Sequence, residues 1–257
     1  MQKKLMIPSK NGIEHAAVFS DPNHSTETPV VILAAGSNSG KDLAYTSTYG
    51  EKRLNSQGFA TLRFDAYGLG ESTGDKTEVT LTKDVQGLID IVAYIRNKLG
   101  YQRVSAIGTS YGGQTTLLAA ARLNPSFECL ALRAPVSNYK AQEDDKLGPE
   151  GIAKWKAEGD WHWPGKADPN LRVKYAFYED ASQYNSWEEA PDIHIPVLIV
   201  HGDKDEAVDL EQSQKLVDQL PEGKLIVVKG AGHSFSEGTA YQDSFREIEQ
   251  FLKEHLT

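Results

Sequence analysis

Cysteine is almost missing from this chain: Cys129 is the only one in 257 residues. An internal disulfide is therefore excluded. The apolar run Cys129-Leu130-Ala131-Leu132 assigns that thiol to a core. Long apolar runs are missing too, and none approaches the length of a membrane span. The start, Met1-Gln2-Lys3-Lys4-Leu5-Met6-Ile7-Pro8, has only three apolar residues before its proline, too few for the apolar region of a signal peptide. A soluble, cytoplasmic protein is the expectation. Basic excess is likewise lacking: 27 Lys and Arg stand against 36 Asp and Glu, a net charge of −9. Such a surface repels phosphate backbones, so no nucleic-acid partner is expected. Nor does any His, Cys or carboxylate grouping have metal-ligand spacing, so no metal and no cofactor is proposed. Repeats and low-complexity tracts are absent from the sequence.

What is present is ordinary globular material, with 39% hydrophobic and 25% charged residues, enough for one large domain with a sizeable core. Lys3–Ile7 and Glu14–Phe19 flank Asn11-Gly12, which reads as an opening hairpin. The continuous apolar run Val30–Ala35 has the length of a strand buried on both faces, and Phe59–Phe64 reads as another buried strand. A helix is expected around Tyr45–Gln57, stopping at Gly58. From Thr80 to Leu99, Leu81, Val85, Leu88, Ile91, Val92 and Ile95 recur at helical spacing. Strands at Arg103–Gly108, Glu128–Arg133, Ile195–Val200 and Lys224–Val228 alternate with helices to about Leu123, at Asp209–Leu220 and at Tyr241–Leu256. This rhythm implies parallel βαβ units and an α/β fold with helices on both faces.

The rhythm breaks between Ala134 and about Pro191. That stretch is polar, dotted with Gly and Pro, and holds all four tryptophans: Trp155, Trp161, Trp163 and Trp187. A structureless loop of this length is unfavourable in a compact domain, so an inserted cap over about residues 135–190 is expected. Its aromatic residues could form a small core of their own, or line a pocket. Trp161, Trp163 and Tyr178 are the candidates for substrate contact. One phosphate-loop look-alike, Gly36-Ser37-Asn38-Ser39-Gly40-Lys41, fails in detail. Its glycines are one residue too close, and Asp42 stands where a magnesium-binding hydroxyl belongs.

The chemistry is concentrated at Gly108-Thr109-Ser110-Tyr111-Gly112. A β-branched and small apolar run leads into it, and a helix-forming run leaves it. Gly-x-Ser-x-Gly between a strand and a helix reads as a nucleophile elbow that forces Ser110 into a strained backbone at a strand tip. A serine hydroxyl needs a base, and histidine with a supporting carboxylate supplies one. In a parallel sheet these belong in loops at the C-terminal ends of strands. Two such loops carry them: His201-Gly202-Asp203-Lys204-Asp205-Glu206 and Gly230-Ala231-Gly232-His233. His201 is expected to pack or hydrogen-bond locally, and His15, His24, His194 and His255 to lie at the surface or an edge. His162 stands between two tryptophans, and Asp65 is expected to brace its loop.

Taken together, these motifs resemble the α/β-hydrolase superfamily over essentially the whole chain. Within it the chain is most similar to small lidded carboxylesterases of the feruloyl and cinnamoyl esterase-like and serine-aminopeptidase-like groups. The resemblance implies a single domain over residues 1–257 with a mostly parallel sheet and an inserted cap. It implies catalytic Ser110, Asp205 and His233, with Asp205 preferred over Asp203 and Glu206, and Asp203 capping the turn. The oxyanion donors would be the backbone N–H groups of Tyr111 and of Ser37, or of Asn38. Relatives commonly carry His-Gly in that second loop, whereas this chain has Ala35-Gly36, so a bracing side chain is lost. The implied activity is cleavage of short-chain or aromatic carboxylic esters of small molecules through an acyl-enzyme. An acyl thioesterase or small peptidase is the alternative within enzymes, and a non-catalytic ligand-binding relative the alternative outside them. The sequence leaves the oligomeric state open.

Overall fold

The computed structural model describes residues 2–43, 45–163 and 165–257. In chain order its elements are β1 (Gln2–Pro8), β2 (Glu14–Ser20), β3 (Val30–Ala34), α1 (Tyr45–Ser56), β4 (Ala60–Phe64), α2 (Leu81–Tyr94), β5 (Val104–Thr109), α3 (Tyr111–Arg122) and β6 (Leu130–Arg133). Then come α4 (Tyr139–Glu158), β7 (Asp160–His162), β8 (Arg172–Lys174), α5 (Ala176–Ala181) and α6 (Ser186–Glu189). The chain closes with β9 (Val197–Gly202), α7 (Leu210–Gln219), β10 (Gly223–Val228) and α8 (Ala240–Leu256).

Eight strands form one sheet in the order β1-β2-β4-β3-β5-β6-β9-β10. β1 and β2 are the antiparallel hairpin, and β2 joins β4 antiparallel. All other pairings are parallel, as continuous apolar strands joined by helices require. The side-chain period of two divides each central strand between two cores. Val30 and Ile32 of β3 face the core that contains the apolar residues of α2 and α3, whereas Val31 and Leu33 face Leu54 of α1 and Phe245, Ile248 and Leu252 of α8. α2 starts where Thr80 accepts from the Lys83 N–H, and a wider turn over Ile95–Leu99 ends at Gly100 with φ +88°.

One expectation is corrected here. His15 is not at a surface or an edge: it is 1% exposed, because β2 is an inner strand covered by α2. Its Nδ1 lies 3.0 Å from the Asp65 carbonyl, and its Nε2 lies where a side chain at Gly87 of α2 would begin. Burial lowers its pKa. His24, His194 and His255 are exposed.

The long interruption is structured. α4 is broken at Gly148 (φ +63°) ahead of Pro149, β7 and β8 pair as a small hairpin, and α5 and α6 follow. One aromatic cluster there is internal, with Trp155 against Trp161, Tyr175 and Tyr178. A second reaches the main sheet: Tyr139, Trp163 and Phe177 surround Tyr111 at the start of α3, with ring centroids 5.7–6.0 Å away. Among the described residues, no helix is long and apolar enough to cross a membrane.

Candidate active site

Ser110 follows β5 directly and has φ +54°, ψ −124°, in the region that ordinary side chains avoid. The turn is held on both sides: the Ser110 N–H donates to the Arg133 carbonyl, and the Ser110 carbonyl accepts from Gly113 and Val136. The flanking glycines are steric necessities. A Cβ at Gly108 would stand 2.7 Å from the Gly112 carbonyl oxygen, and one at Gly112 would stand 2.4 Å from that of Ala35. The second contact also sets how closely the loop after β3 approaches the elbow.

His233 follows β10 and Asp205 follows β9, whose C-terminal ends lie in register. His233 Nδ1 lies 2.7 Å from Asp205 Oδ2, and His233 Nε2 lies 3.1 Å from Ser110 Oγ. A carboxylate at Nδ1 keeps the proton there, which leaves Nε2 as acceptor for the serine hydroxyl. The Asp205 carboxylate is wholly buried. Burial alone would raise its pKa, but hydrogen bonds from His201, His233 and the Val208 N–H hold it well below the usual carboxylate range. Its Oδ1 accepts from the Ala207 and Val208 N–H groups, so the side chain is fixed as well as charged.

His201 packs locally, as expected, but its site is also part of this arrangement. Its Nε2 faces two acceptors, the Val208 carbonyl at 3.0 Å and Asp205 Oδ2 at 3.2 Å. Two acceptors at Nε2 call for a proton there, which leaves Nδ1 facing the Ser213 hydroxyl 2.7 Å away. Asp203 accepts from the Gly230 N–H and so closes the turn between the two loops.

Two cavities flank the loop Gly36–Ser39. The outer one, about 570 Å³, is open and lined by Ser110, His233, Ser37, Thr109 and Arg133 among others. The inner one is smaller, about 30 Å³, and mainly apolar, with Phe64, Leu69, Val79, Tyr111 and Trp163 in its wall. Of the three aromatic candidates, Trp163 alone lines either cavity. Trp161 and Tyr178 belong to the internal cluster around Trp155, with the Tyr178 hydroxyl bonded to Asp144. His162 is exposed and bonds the Pro169 carbonyl.

Ser37 lines the outer cavity beside Ser110, and Tyr111 heads α3 immediately after it. Asn38, weighed as a second backbone donor, has another role for its side chain. It is fully buried with φ +44°. Its Nδ2 donates to the Trp163 and Asp168 carbonyls, both at 2.6 Å, and its Oδ1 accepts from the Asp168 N–H. The loop after β3, where Ala35 offers no polar side chain, is thus braced by Asn38 against a segment more than 120 residues away in sequence. Nothing local marks that contact, because its partners are backbone atoms.

The failed phosphate-loop residues also find their use. Lys41 is buried, and its ammonium bonds Asp65 at 2.8 Å and Glu71 at 2.5 Å. Burial opposes its charge, but these carboxylates more than offset that and raise its pKa. Asp65 also accepts from the Lys41 and Glu71 N–H groups, so it braces its loop as expected. Burial pushes the Cys129 thiol up to about 11, which fits an inert core residue. Among the described residues, no group of His, Cys, Asp or Glu is arranged to hold a metal ion.

An eight-stranded, mostly parallel sheet with the serine at a strand-to-helix turn and the acid and histidine loops beyond it has the α/β-hydrolase fold. The chain belongs to the prolyl oligopeptidase family, whose model matches residues 70–257. Over 194 residues it is 28% identical to mouse palmitoyl-protein thioesterase ABHD10, mitochondrial, covering 73% of this chain. It spans about 63% of the length of that relative. In structure it is similar to Est1E from Butyrivibrio proteoclasticus with ferulic acid bound, at TM-score 0.84 and 25% identity over 98% of this chain and 99% of that one. Mouse alpha/beta hydrolase domain-containing protein 10 shares the fold at TM-score 0.81 and 21% identity, over 98% of this chain and 99% of the other.

Proposed function

We propose that this protein is a serine hydrolase that cleaves small carboxylic esters through an acyl-enzyme. The observation that carries the reading is the hydrogen-bonded line from Ser110 Oγ through His233 to buried Asp205, opening on a cavity. In the proposed reaction His233 Nε2 takes the Ser110 proton as Oγ attacks the substrate carbonyl, and Asp205 stabilises the imidazolium that forms. The N–H groups of Ser37 and Tyr111 receive the charge that develops on the carbonyl oxygen. The imidazolium then protonates the leaving alcohol as the C–O bond breaks. Water, deprotonated by the same nitrogen, releases the acid and regenerates Ser110.

The segment between β6 and β9 acts as a cap in this reading, with Trp163 as the side chain it contributes to the pocket wall. The small inner cavity favours short acyl groups. The similarity to a structure holding ferulic acid supports aromatic esters, whose ring would lie in the larger outer cavity. A thioester substrate is the second reading, favoured by the relatives named palmitoyl-protein thioesterase.

The test is hydrolysis of p-nitrophenyl esters from acetate to decanoate, a ferulate ester, butyryl-CoA and a p-nitroanilide, by wild type and Ser110→Ala. A loss of about 10³-fold or more on the preferred ester in the variant is expected, since removing the nucleophile disables the whole unit. Equal inertness of both proteins on every ester and thioester, with no fluorophosphonate label on Ser110, would sink the reading. A ligand-binding role would then replace it.

A further inference from the structure

The outer cavity has a charge that the chain as a whole does not. Acidic residues fill 36 of 257 positions, so sixteen lining residues drawn at random would include about two. The sixteen described residues that line this cavity include no carboxylate and two cations, Arg133 and Lys166. The nearby acids do not line it. Asp205 is buried behind His233 and accepts four hydrogen bonds, and Glu237 accepts from the Gly232 N–H and the Ser236 hydroxyl. The charged side chains that face a bound molecule are thus cationic, although Asp205 acts on Arg133 from behind, so an anion is favoured at contact range rather than steered from a distance.

The site is built rather than merely charged. Arg133 and Thr109 are register partners at the C-terminal ends of β6 and β5. The Arg133 guanidinium is held over the rings of Phe235 and Tyr241, 4.2 and 4.4 Å from their centroids, and donates to the Ser234 carbonyl. A planar cation stacked in this way is fixed in orientation before any ligand arrives. Beside it, the Thr109 Oγ1 is buried and has no hydrogen-bond partner among the described residues. An orphaned buried hydroxyl and a preorganised guanidinium, on paired strand ends and in the wall of the cavity holding the nucleophile, are two donors that a bound anionic group would satisfy. Lys166, exposed on the Trp163–Asp168 segment, adds a second positive charge at the rim.

We propose that the cavity at Ser110 selects esters carrying a negatively charged group, a carboxylate or a phosphate, recognised by Arg133 and Thr109 with Lys166 at the entrance. The proposal builds on the hydrolase reading and narrows its substrate class. A brace for the His233 loop would also explain why Arg133 is held against Ser234 and Phe235. A brace, however, serves neutral and anionic esters alike, which makes the two roles separable.

The experiment measures binding apart from turnover. Ser110→Ala is titrated calorimetrically with 4-carboxyphenyl butyrate, its uncharged isostere 4-carbamoylphenyl butyrate and the corresponding 4-phosphate ester. Monophenyl succinate and its amide place the charge on the acyl side instead. At least tenfold tighter binding of the charged member is expected in one pair, shrinking as salt rises from about 20 mM to 0.5 M. The pair that responds tells which side of the ester bears the anion, and the phosphate arm tells carboxylate from phosphate. In the Ser110→Ala background, Lys166→Ala should cut the preference about threefold and Thr109→Val about fivefold, and Arg133→Met should abolish it. The first two changes keep the proposal testable should Arg133→Met fail to fold. Charged and neutral partners binding within twofold of each other in every pair would overturn it. Charge-selective binding by Ser110→Ala, with no hydrolysis of any ester by wild type, would uphold the anion site and refute the hydrolase reading.

Discussion

The loop carrying Ser37 should depend on Asn38, and the size of that dependence follows from the structure. Asn38→Ala removes two donors and one acceptor from a fully buried position, leaving the Trp163 carbonyl and the Asp168 N–H without partners and the Asp168 carbonyl with only the Leu171 N–H at 3.3 Å. Each orphan costs about 1–3 kcal/mol when water cannot reach it. Partial hydration from the adjoining outer cavity brings the sum to roughly 3–4 kcal/mol. Alanine at φ +44° adds about 1 kcal/mol that glycine would not, so Asn38→Gly separates backbone strain from lost bonds. For a chain of this length the alanine variant should melt about 8–15 °C below wild type, with the glycine variant between the two. The decisive readout is kinetic. Removing one oxyanion donor costs about 10²–10³ in kcat, and a loosened donor should cost at least tenfold, with KM little changed. The assay is ester hydrolysis at a temperature where each variant is fully folded, beside thermal unfolding. Wild-type kcat in both variants, despite a lowered Tm, would show that the loop is held without Asn38, and the reasoning would fail.

Other consequences can be checked on the same protein. Burial pushes Asp84 up to about 7 against hydrogen bonds from the Tyr67 N–H and the Tyr111 hydroxyl, with Asp180 and Lys83 the nearest charges. Its folded pKa lies above its unfolded one, so the folded state binds the proton more tightly and stability falls as pH rises from about 4 to 7. The difference from 3.8 to about 7 corresponds to about 4 kcal/mol, which Asp84→Asn should remove; equal pH slopes in urea unfolding at pH 5 and pH 8 would contradict this. Asp205 has the opposite sign: its folded pKa is depressed, so its stabilisation is full above about pH 5 and fades as pH drops below that. Asp205→Asn should therefore be less stable than wild type at pH 7 by a margin that narrows toward pH 2, and should lose about 10⁴ in kcat. A margin that widens on acidification would refute the assignment. Gly112→Ala should cost more than about 3 kcal/mol and abolish hydrolysis, since its Cβ meets two carbonyl oxygens at 2.4 and 2.5 Å. A soluble, active alanine variant would mean that the elbow yields more readily than its packing implies.

The sequence was most legible where a single physical constraint acts on neighbours in the chain. Val30–Ala34 had to be a two-sided buried strand because nothing in it is polar, and the Gly-x-Ser-x-Gly turn had to be tight because two glycines flank a lone functional side chain. The proximity of Ser110, Asp205 and His233 was legible for the same reason: each sits just past an apolar run, and parallel topology collects such loops at one end of a sheet. His15 was misplaced because β2 alternates weakly and reads as an outer hairpin strand until the order β1-β2-β4 covers it. Trp161 and Tyr178 showed no difference from Trp163 in composition. Which aromatic reaches the sheet depends on how α4 breaks at Gly148 and on the pairing of β7 with β8.

The roles that sequence reading passed over, that of the Asn38 side chain among them, share one property: they are exerted on backbone atoms or across distant strands. Asn38 holds two carbonyls, Arg133 holds one, and Thr109 becomes notable only when β5 and β6 come into register. None of these partners has a side-chain identity that a motif could encode. The division also separates two jobs within one site. Motif residues define what bond chemistry is possible, because that chemistry demands particular functional groups. On the proposed reading, the unmarked residues set how firmly the loop carrying Ser37 is held and which charge the cavity accepts, since many residue types could hold a backbone carbonyl or balance a charge. Chemistry should therefore persist through changes at Lys166 and Thr109 that alter which ester is preferred. Changes at Asn38 should slow all esters together. That contrast, one set of variants reordering substrates and the other scaling them equally, separates recognition from catalysis in this fold.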